Sequence, residues 1–252
     1  MFRPRVIPVL LLQDKALVKS IKFKDYKYIG DPLNAVKVFN DLKADELVFL
    51  DIEATKKNKT ISLDLVQRVG EEANMPFSVG GGIRTLKDIQ NIISKGAEKI
   101  VINSKAVDDP DFIKLASNDF GSSTVVVCID VKKKFLGKEV VWTKAGSRSS
   151  RYTPKDFAKL AEDKGAGEII IQSIAKDGTM DGYDIDLIKD IAMSVSIPVV
   201  ALGGASSLNN LDDAYRKAHA SALGVGSMFV FQGKKRGVLI NYPDSKELKL
   251  FK

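Results

Sequence analysis

The chain has 252 residues, 44% of them hydrophobic and 28% charged, which describes a globular protein of one large or two small domains. No apolar run approaches the roughly 18 residues of a membrane span, and Met1-Phe2-Arg3-Pro4-Arg5 leads into a strand without a small-residue cleavage site. The sequence therefore predicts a cytoplasmic protein with no membrane partner. The net charge of +7 is spread over short clusters such as Lys132-Lys133-Lys134 and Lys234-Lys235-Arg236, without aromatic interleaving or a nucleic-acid motif. That pattern argues for solubility, anionic small molecules or an acidic partner, and against nucleic acid.

Apolar runs of strand length alternate with amphipathic segments from end to end, the pattern of parallel strands joined by helical crossovers. The predicted strands are, in chain order, Val6 to Leu12, Glu46 to Asp51, Phe77 to Gly80, Lys99 to Asn103, Thr124 to Asp130, Glu168 to Ile174, Pro198 to Leu202 and Ala222 to Val225. Capping signals at Asp31-Pro32, Thr85, Asp109-Pro110, Thr153-Pro154 and Asp184 open the helices between them. The longest connection without helical pattern, Lys132 to Ser150, reads as a hairpin over the mouth of a barrel. Trp142 within it either packs that hairpin onto the mouth or covers a ligand. The single cysteine, Cys128, lies inside the apolar run TVVVCID and reads as a buried, inert thiol. The single histidine, His219, reads as a solvated residue between helix and strand, and no zinc-ligand spacing is present, so no metal or cofactor is expected.

A repeat organises these elements. ELVFLDI at Glu46 is matched by EIIIQSI at Glu168, and Gly81-Gly82 by Gly203-Gly204, both 122 residues on, while Asn103-Ser104 is matched by Gly226-Ser227 at 123. Two fused half-barrel repeats of four βα units account for the spacing. The expectation is an α/β fold, a single (β/α)8 TIM barrel over residues 1–252, with no linker or second domain and an atypical C-terminal segment over 232–252.

Parallel barrels react at the C-terminal ends of their strands and hold phosphate there with glycine-rich loops. Gly81, Gly82, Asn103 and Ser104 form one candidate cradle and Gly203, Gly204, Gly226 and Ser227 its twin, which implies a ligand with phosphate at both ends. A strand-to-helix turn that merely needs a glycine is the plain reading of each one taken alone. Three carboxylates fall at the same end: Asp51, Asp130 and Asp177. Asp130 is the first choice for general acid or base, because the strand it closes is otherwise uncharged. The repeat puts its counterpart near position 11, where the residue is Leu11.

Together ELVFLDI, PFSVGGGI, KIVINSKAV, VVVCIDVK, GAGEIIIQSIAKDGTMDGYD and VVALGGA resemble the cyclase subunit of imidazole glycerol phosphate synthase, over about residues 3 to 230. The resemblance implies a barrel that docks a glutaminase subunit on its N-terminal face and passes ammonia through its core to the mouth. There a bisphosphorylated ribonucleotide is cleaved and cyclised in histidine and purine metabolism. It assigns Arg5, Glu46, Lys99 and Glu168 to the ammonia gate, with Ser78 in the bore; without it, four alternating charges at this end read as a salt-bridged plug serving stability. It also adds Gly178 to the phosphate-binding residues and Lys19, with Asp51 and Asp177, to the mouth.

The family's acid–base pair is an Asp ending strand one and an Asp ending strand five. Asp130 matches the second; the first falls in a CLDVKDG-like motif that here reads VLLLQDK, with Leu11 at the reactive position and Lys15 in place of the glycine. Asp14 is displaced by three residues. Ala175 replaces the first aspartate of the loop-six motif, and Leu202 stands where a small polar residue is expected. Loss of one member of an acid–base pair costs on the order of 100-fold to 10,000-fold in rate. A kept gate with half the chemical pair gone resembles a branch of cyclase-like barrels encoded with surface-polysaccharide or flagellar sugar genes, thought to pass ammonia to a third protein, a sugar amidotransferase. The leading expectation is thus an ammonia-conducting subunit of a glutamine-dependent amidotransferase. A working cyclase that recruits Asp14 or Asp51, and a non-catalytic phosphate-binding scaffold or regulatory subunit, are the alternatives.

Overall fold

A computed structural model describes residues 3–135, 137–233 and 235–251. Eight parallel strands form a closed barrel: β1 (Arg5–Gln13), β2 (Leu47–Asp51), β3 (Phe77–Gly80), β4 (Lys99–Ile102), β5 (Val125–Lys133), β6 (Glu168–Ser173), β7 (Val199–Leu202) and β8 (Ala222–Val225). Each pairs with the next, and Arg5 to Pro8 of β1 against Ala222 to Val225 of β8 closes the ring. The chain is a (β/α)8 TIM barrel.

Strand alternation accounts for the two apolar cores, because successive side chains point to opposite faces. Ile7, Val9, Val48, Val101, Val126, Cys128, Ile170, Val200, Leu202 and Ala222 fill the bore. Their neighbours, among them Val6, Leu10, Phe49, Val127, Ile171 and Leu223, face outward against the helices. The helices are α1 (Pro32–Asp41), α2 (Leu63–Glu72), α3 (Leu86–Ile93), α4 (Ser104–Asp108), α5 (Asp111–Phe120), α6 (Pro154–Asp163), α7 (Ile185–Ala192) and α8 (Leu208–Arg216). The half-barrel repeat extends to their N-caps: Asp31 and Thr153, Ser62 and Asp184, Thr85 and Ser207 are side-chain caps standing 122 residues apart. Pro110 caps α5 without a side-chain bond, one residue later than the Asp109 signal implies, because α4 already occupies Ser104–Asp108.

Several strand ends shift by one residue from the sequence reading, and two differences are larger. β5 runs past Asp130 to Lys133, because its end pairs antiparallel with Glu139–Thr143 in the expected mouth hairpin. A second hairpin, absent from the sequence reading, follows β1: Ala16–Ile21 pairs with the end of β1 and with Lys24–Gly30. Trp142 serves the first of these hairpins. Its indole donates to the Lys132 carbonyl at 2.9 Å and lies under the Lys132 ammonium, and the residue does not line the central cavity.

After β8 the described residues form 3-10 turns, a two-stranded ribbon of Phe231–Gln232 with Gly237–Val238, and extended chain, with no outer helix of the kind that follows every other strand. In this tail Tyr242 and Leu248 are buried, Tyr242 against the Phe229 ring and the turn holding Leu248 (248–251) beside α8. The Tyr242 hydroxyl donates to the Val6 carbonyl at 2.9 Å and accepts from the Asp45 amide at 3.2 Å. Among the described residues, no helix is long and apolar enough to cross a membrane.

Candidate active site

A cavity of about 150 Å³ opens at the C-terminal ends of the strands and brings together Leu11, Lys19, Asp51, Cys128, Asp130 and Asp177. β5 alternation turns Cys128 and Asp130 into it, and Asp130 is only 8% exposed. Burial pushes the Asp130 carboxyl up to about 7; the Cys128 thiol, 3.5 Å from Oδ1, works against that shift, and the charge of Asp177 adds to it. The thiol itself is driven well up by burial, in keeping with an inert cysteine, but the sequence reading missed its contact with Asp130. The i,i+2 spacing in VCID carries that signal.

Leu11 reaches the same cavity from β1 and offers Asp130 no exchangeable proton. Asp14 does not replace it. It sits on the β1 turn with its carboxylate turned outward to Lys57 at 2.6 Å, which removes it as a recruited acid. Asp51 lines the cavity, but its Oδ1 accepts from the Glu53 and Ala54 amides at 3.0 and 2.9 Å, as an Asp capping a turn does.

Asp177 is the most heavily bonded of the mouth carboxylates. It accepts from Ser20 Oγ at 2.7 Å, the Phe23 amide at 3.3 Å and Gln172 Nε2 at 3.3 Å, and burial outweighs these bonds to raise its pKa. Lys19 lies fully inside, with burial pushing its ammonium down to about 8 and Nζ donating to the Val9 carbonyl. Two carboxyls and one amine with ionisations drawn toward neutrality form a set able to exchange protons with a ligand. Ser20, Phe23 and Gln172, which hold Asp177, escaped the sequence reading; the first two lie on the unread hairpin.

The paired glycine loops lie on opposite sides of the ring, after β3 and β4 and after β7 and β8, and border the cavity. Their glycines are demanded by backbone approach. A Cβ on Gly82 (φ 66°) would lie 1.8 Å from the Lys59 carbonyl oxygen, and one on Gly204 (φ 104°) 2.1 Å from that of Gly182. A Cβ on Gly178 would likewise lie 1.9 Å from the Ser20 carbonyl oxygen, and one on Gly226 would lie 3.1 Å from the Lys19 ammonium. Gly81 and Gly203 line the cavity beside them. Asn103 Nδ2 donates to the carbonyls of Cys128 and Trp142, and Ser104 Oγ accepts from the Lys144 amide at 3.0 Å, joining this loop to the β5 hairpin. Ser227 is buried at the cavity wall.

At the other end of the bore the four charges converge. Arg5 bonds both Glu46 and Glu168, and Lys99 bonds both again, at 3.1 and 3.0 Å. Ser78 Oγ donates to Glu46 at 2.9 Å. Glu46 and Glu168 are 4% and 5% exposed, so the ring closes the barrel floor rather than decorating it. His219, by contrast, is exposed on a loop, with φ 58°.

A closed (β/α)8 barrel with glycine loops and titratable side chains gathered at the C-terminal ends of its strands has the layout of the barrel enzymes. The family model for histidine biosynthesis protein matches residues 5–235. The chain is 44% identical over 248 residues to the provisionally named imidazole glycerol phosphate synthase subunit hisF2 of Pseudomonas aeruginosa, covering 98% of this chain and 99% of that one. It is 40% identical over 250 residues to the likewise provisionally named subunit hisF3 of Vibrio vulnificus, covering 99% and 96%. Against the imidazole glycerol phosphate synthase subunit HisF of Alkaliphilus metalliredigens it is 41% identical over 229 residues, 91% of each chain. The chain belongs to the histidine biosynthesis protein family, as a HisF-like member.

Proposed function

We propose that this chain is the synthase-side subunit of a cytoplasmic glutamine-dependent amidotransferase, a single barrel domain that receives ammonia from a glutaminase docked at its floor. Arg5, Glu46, Lys99 and Glu168 form the gate, Ser78 the first polar contact inside, and the apolar bore the path by which a neutral molecule reaches the mouth. The two glycine loops with Asn103, Ser104, Gly178 and Ser227 hold a phosphorylated ligand. The ammonia leaves for amidation of a surface sugar by a third protein. One observation carries this reading: the four floor charges are joined around the axis, while Leu11 shares the mouth with Asp130 where a second proton-transfer carboxylate is needed.

The test is reconstitution with the cognate glutaminase subunit. The barrel is expected to stimulate glutamine hydrolysis yet cyclise the imidazole-pathway nucleotide slowly, and Leu11→Asp is expected to raise that cyclisation on the order of 100-fold. Rapid cyclisation by the unaltered barrel overturns the proposal. A second reading, a working cyclase in histidine biosynthesis, is favoured by Lys19 and Asp177 lying beside Asp130 with shifted ionisations. Its mark is complementation of a cyclase-deficient histidine auxotroph, abolished by Asp130→Asn.

A further inference from the structure

We infer that the outer rim of the mouth, formed by its two hairpins and the turn after β8, docks an acidic protein that consumes the ammonia; this rests on the reading that ammonia leaves there. Large apolar side chains stand in water along this rim. Phe135, at the tip of the β5 hairpin, is fully exposed, Tyr28 on the β1 hairpin is 66% exposed, and Leu239 and Val238 after the last turn are 56% and 46% exposed.

These pieces are mechanically joined. Lys27 lies over the Phe231 ring at 5.0 Å and donates to the Arg236 carbonyl at 3.0 Å, and Arg236 reaches the Thr179 carbonyl in the loop after β6. Phe23 of one hairpin packs on Gly146 of the other, so closely that a Cβ there would lie 3.0 Å from its ring. The rim is therefore a continuous collar and not a set of separate loops.

The two hairpins, residues 16–30 and 131–150, carry ten lysines and arginines against two carboxylates, Asp25 and Glu139. Two of these cations are paired, Lys133 with Glu139 at 3.8 Å and Arg148 with Asp108. Lys22, Lys24, Lys134, Lys138 and Lys144 have no carboxylate oxygen within 4.0 Å among the described residues. Lysines on exposed strands also discourage edge-to-edge pairing, but a surface serving only that purpose has no use for Phe135 and Tyr28 in water. Aromatic anchors ringed by uncompensated cations are the composition of a protein interface whose partner is negatively charged. Collar geometry fits an occupant that must cover the whole opening to collect a small, diffusible product.

The experiment places p-benzoylphenylalanine at position 135, at 28 or, as control, at 115 on α5, in the full chain bound to its glutaminase inside cells. The expected adduct, at 135 and 28 but not at 115, is an enzyme that forms a carbon–nitrogen bond with ammonia, identified by mass spectrometry. Phe135→Ser with Lys134→Glu and Lys24→Glu should cut the adduct at 28, and the transfer of glutamine-derived nitrogen to that enzyme's product, about tenfold or more. Glutaminase stimulation should be unchanged in the same variant. Adducts with nucleic acid, lipid or a second copy of this chain, no adduct, or undiminished nitrogen transfer overturn the docking inference. Failure of the unaltered barrel to stimulate glutaminase overturns instead the reading beneath it.

Discussion

At the scale of single residues, the mouth holds Asp130 in a state that its sequence context only partly announces. An uncharged strand ending in Asp told where the carboxylate points, since alternation fixes that. It did not tell how strongly burial raises the pKa, because that depends on what the other strands and loops place around it. With a folded value of about 7 against roughly 3.9 for the unfolded chain, the native state binds the extra proton between those limits. This carboxyl thus lowers stability progressively as pH rises from about 4 to about 7. Asp130→Asn removes that slope. The variant is expected to match the unaltered chain near pH 4 and to exceed it by about 2–4 kcal/mol at pH 8 in urea unfolding. A difference that does not change with pH contradicts the assignment. The glycines carry the opposite lesson: their matched spacing was legible, but whether a ligand or the chain fills the space of each missing Cβ was not. At Gly82 and Gly204 it is a backbone carbonyl of the preceding loop.

At the scale of elements, the β1 hairpin shows why one feature of the site was unreadable. Ile21 pairs with Lys24, so Lys22 and Phe23 form a two-residue turn, with φ 54° and 61°. Such turns normally announce themselves as Asn-Gly or Gly-Gly, since both central residues need positive φ. Lys-Phe gives no such signal, and a bulky residue there is strained. Tertiary contacts supply the compensation: the Lys22 amide donates to the Asp177 carbonyl at 2.9 Å, the Phe23 amide to its carboxylate, and Ser20 to the same carboxylate. Asp177→Ala should therefore free the hairpin while leaving the barrel folded. Faster tryptic cleavage at Lys22 and Lys24 and faster amide exchange across Ala16–Gly30 are the expected results. Unchanged protection counts against Asp177 as the clasp.

At the scale of the molecule, the half-barrel repeat was legible from a few matched pairs, and the structure extends it to three pairs of helix caps that the sequence reading only partly identified. The floor ring depends on the whole barrel, since its members come from β1, β4 and β6 and from the residue preceding β2. Arg5 and Lys99 each span both carboxylates, so removing one cation leaves the other to serve two buried acids. Arg5→Met is expected to cost about 2–3 kcal/mol, below the roughly 3–5 of a fully buried pair, since its side chain is 35% exposed. Adding Glu168→Gln should recover part of that loss, read from urea midpoints. If the double variant is as weak as the two changes summed, the residues do not act as one network.

The strap of chain after β8 bears on how such a molecule comes apart. The other seven strands are each followed by a helix whose own hydrogen bonds resist fraying, whereas the last strand is followed by a ribbon anchored by the buried Phe229 and Val230 and tied to the first strand through Tyr242. A cylinder opens where its cladding is thinnest. Under mild denaturation this join is where the wall parts first, and Tyr242→Phe, which removes the pin but keeps the ring, should bring that rupture on at lower urea without altering the opposite wall.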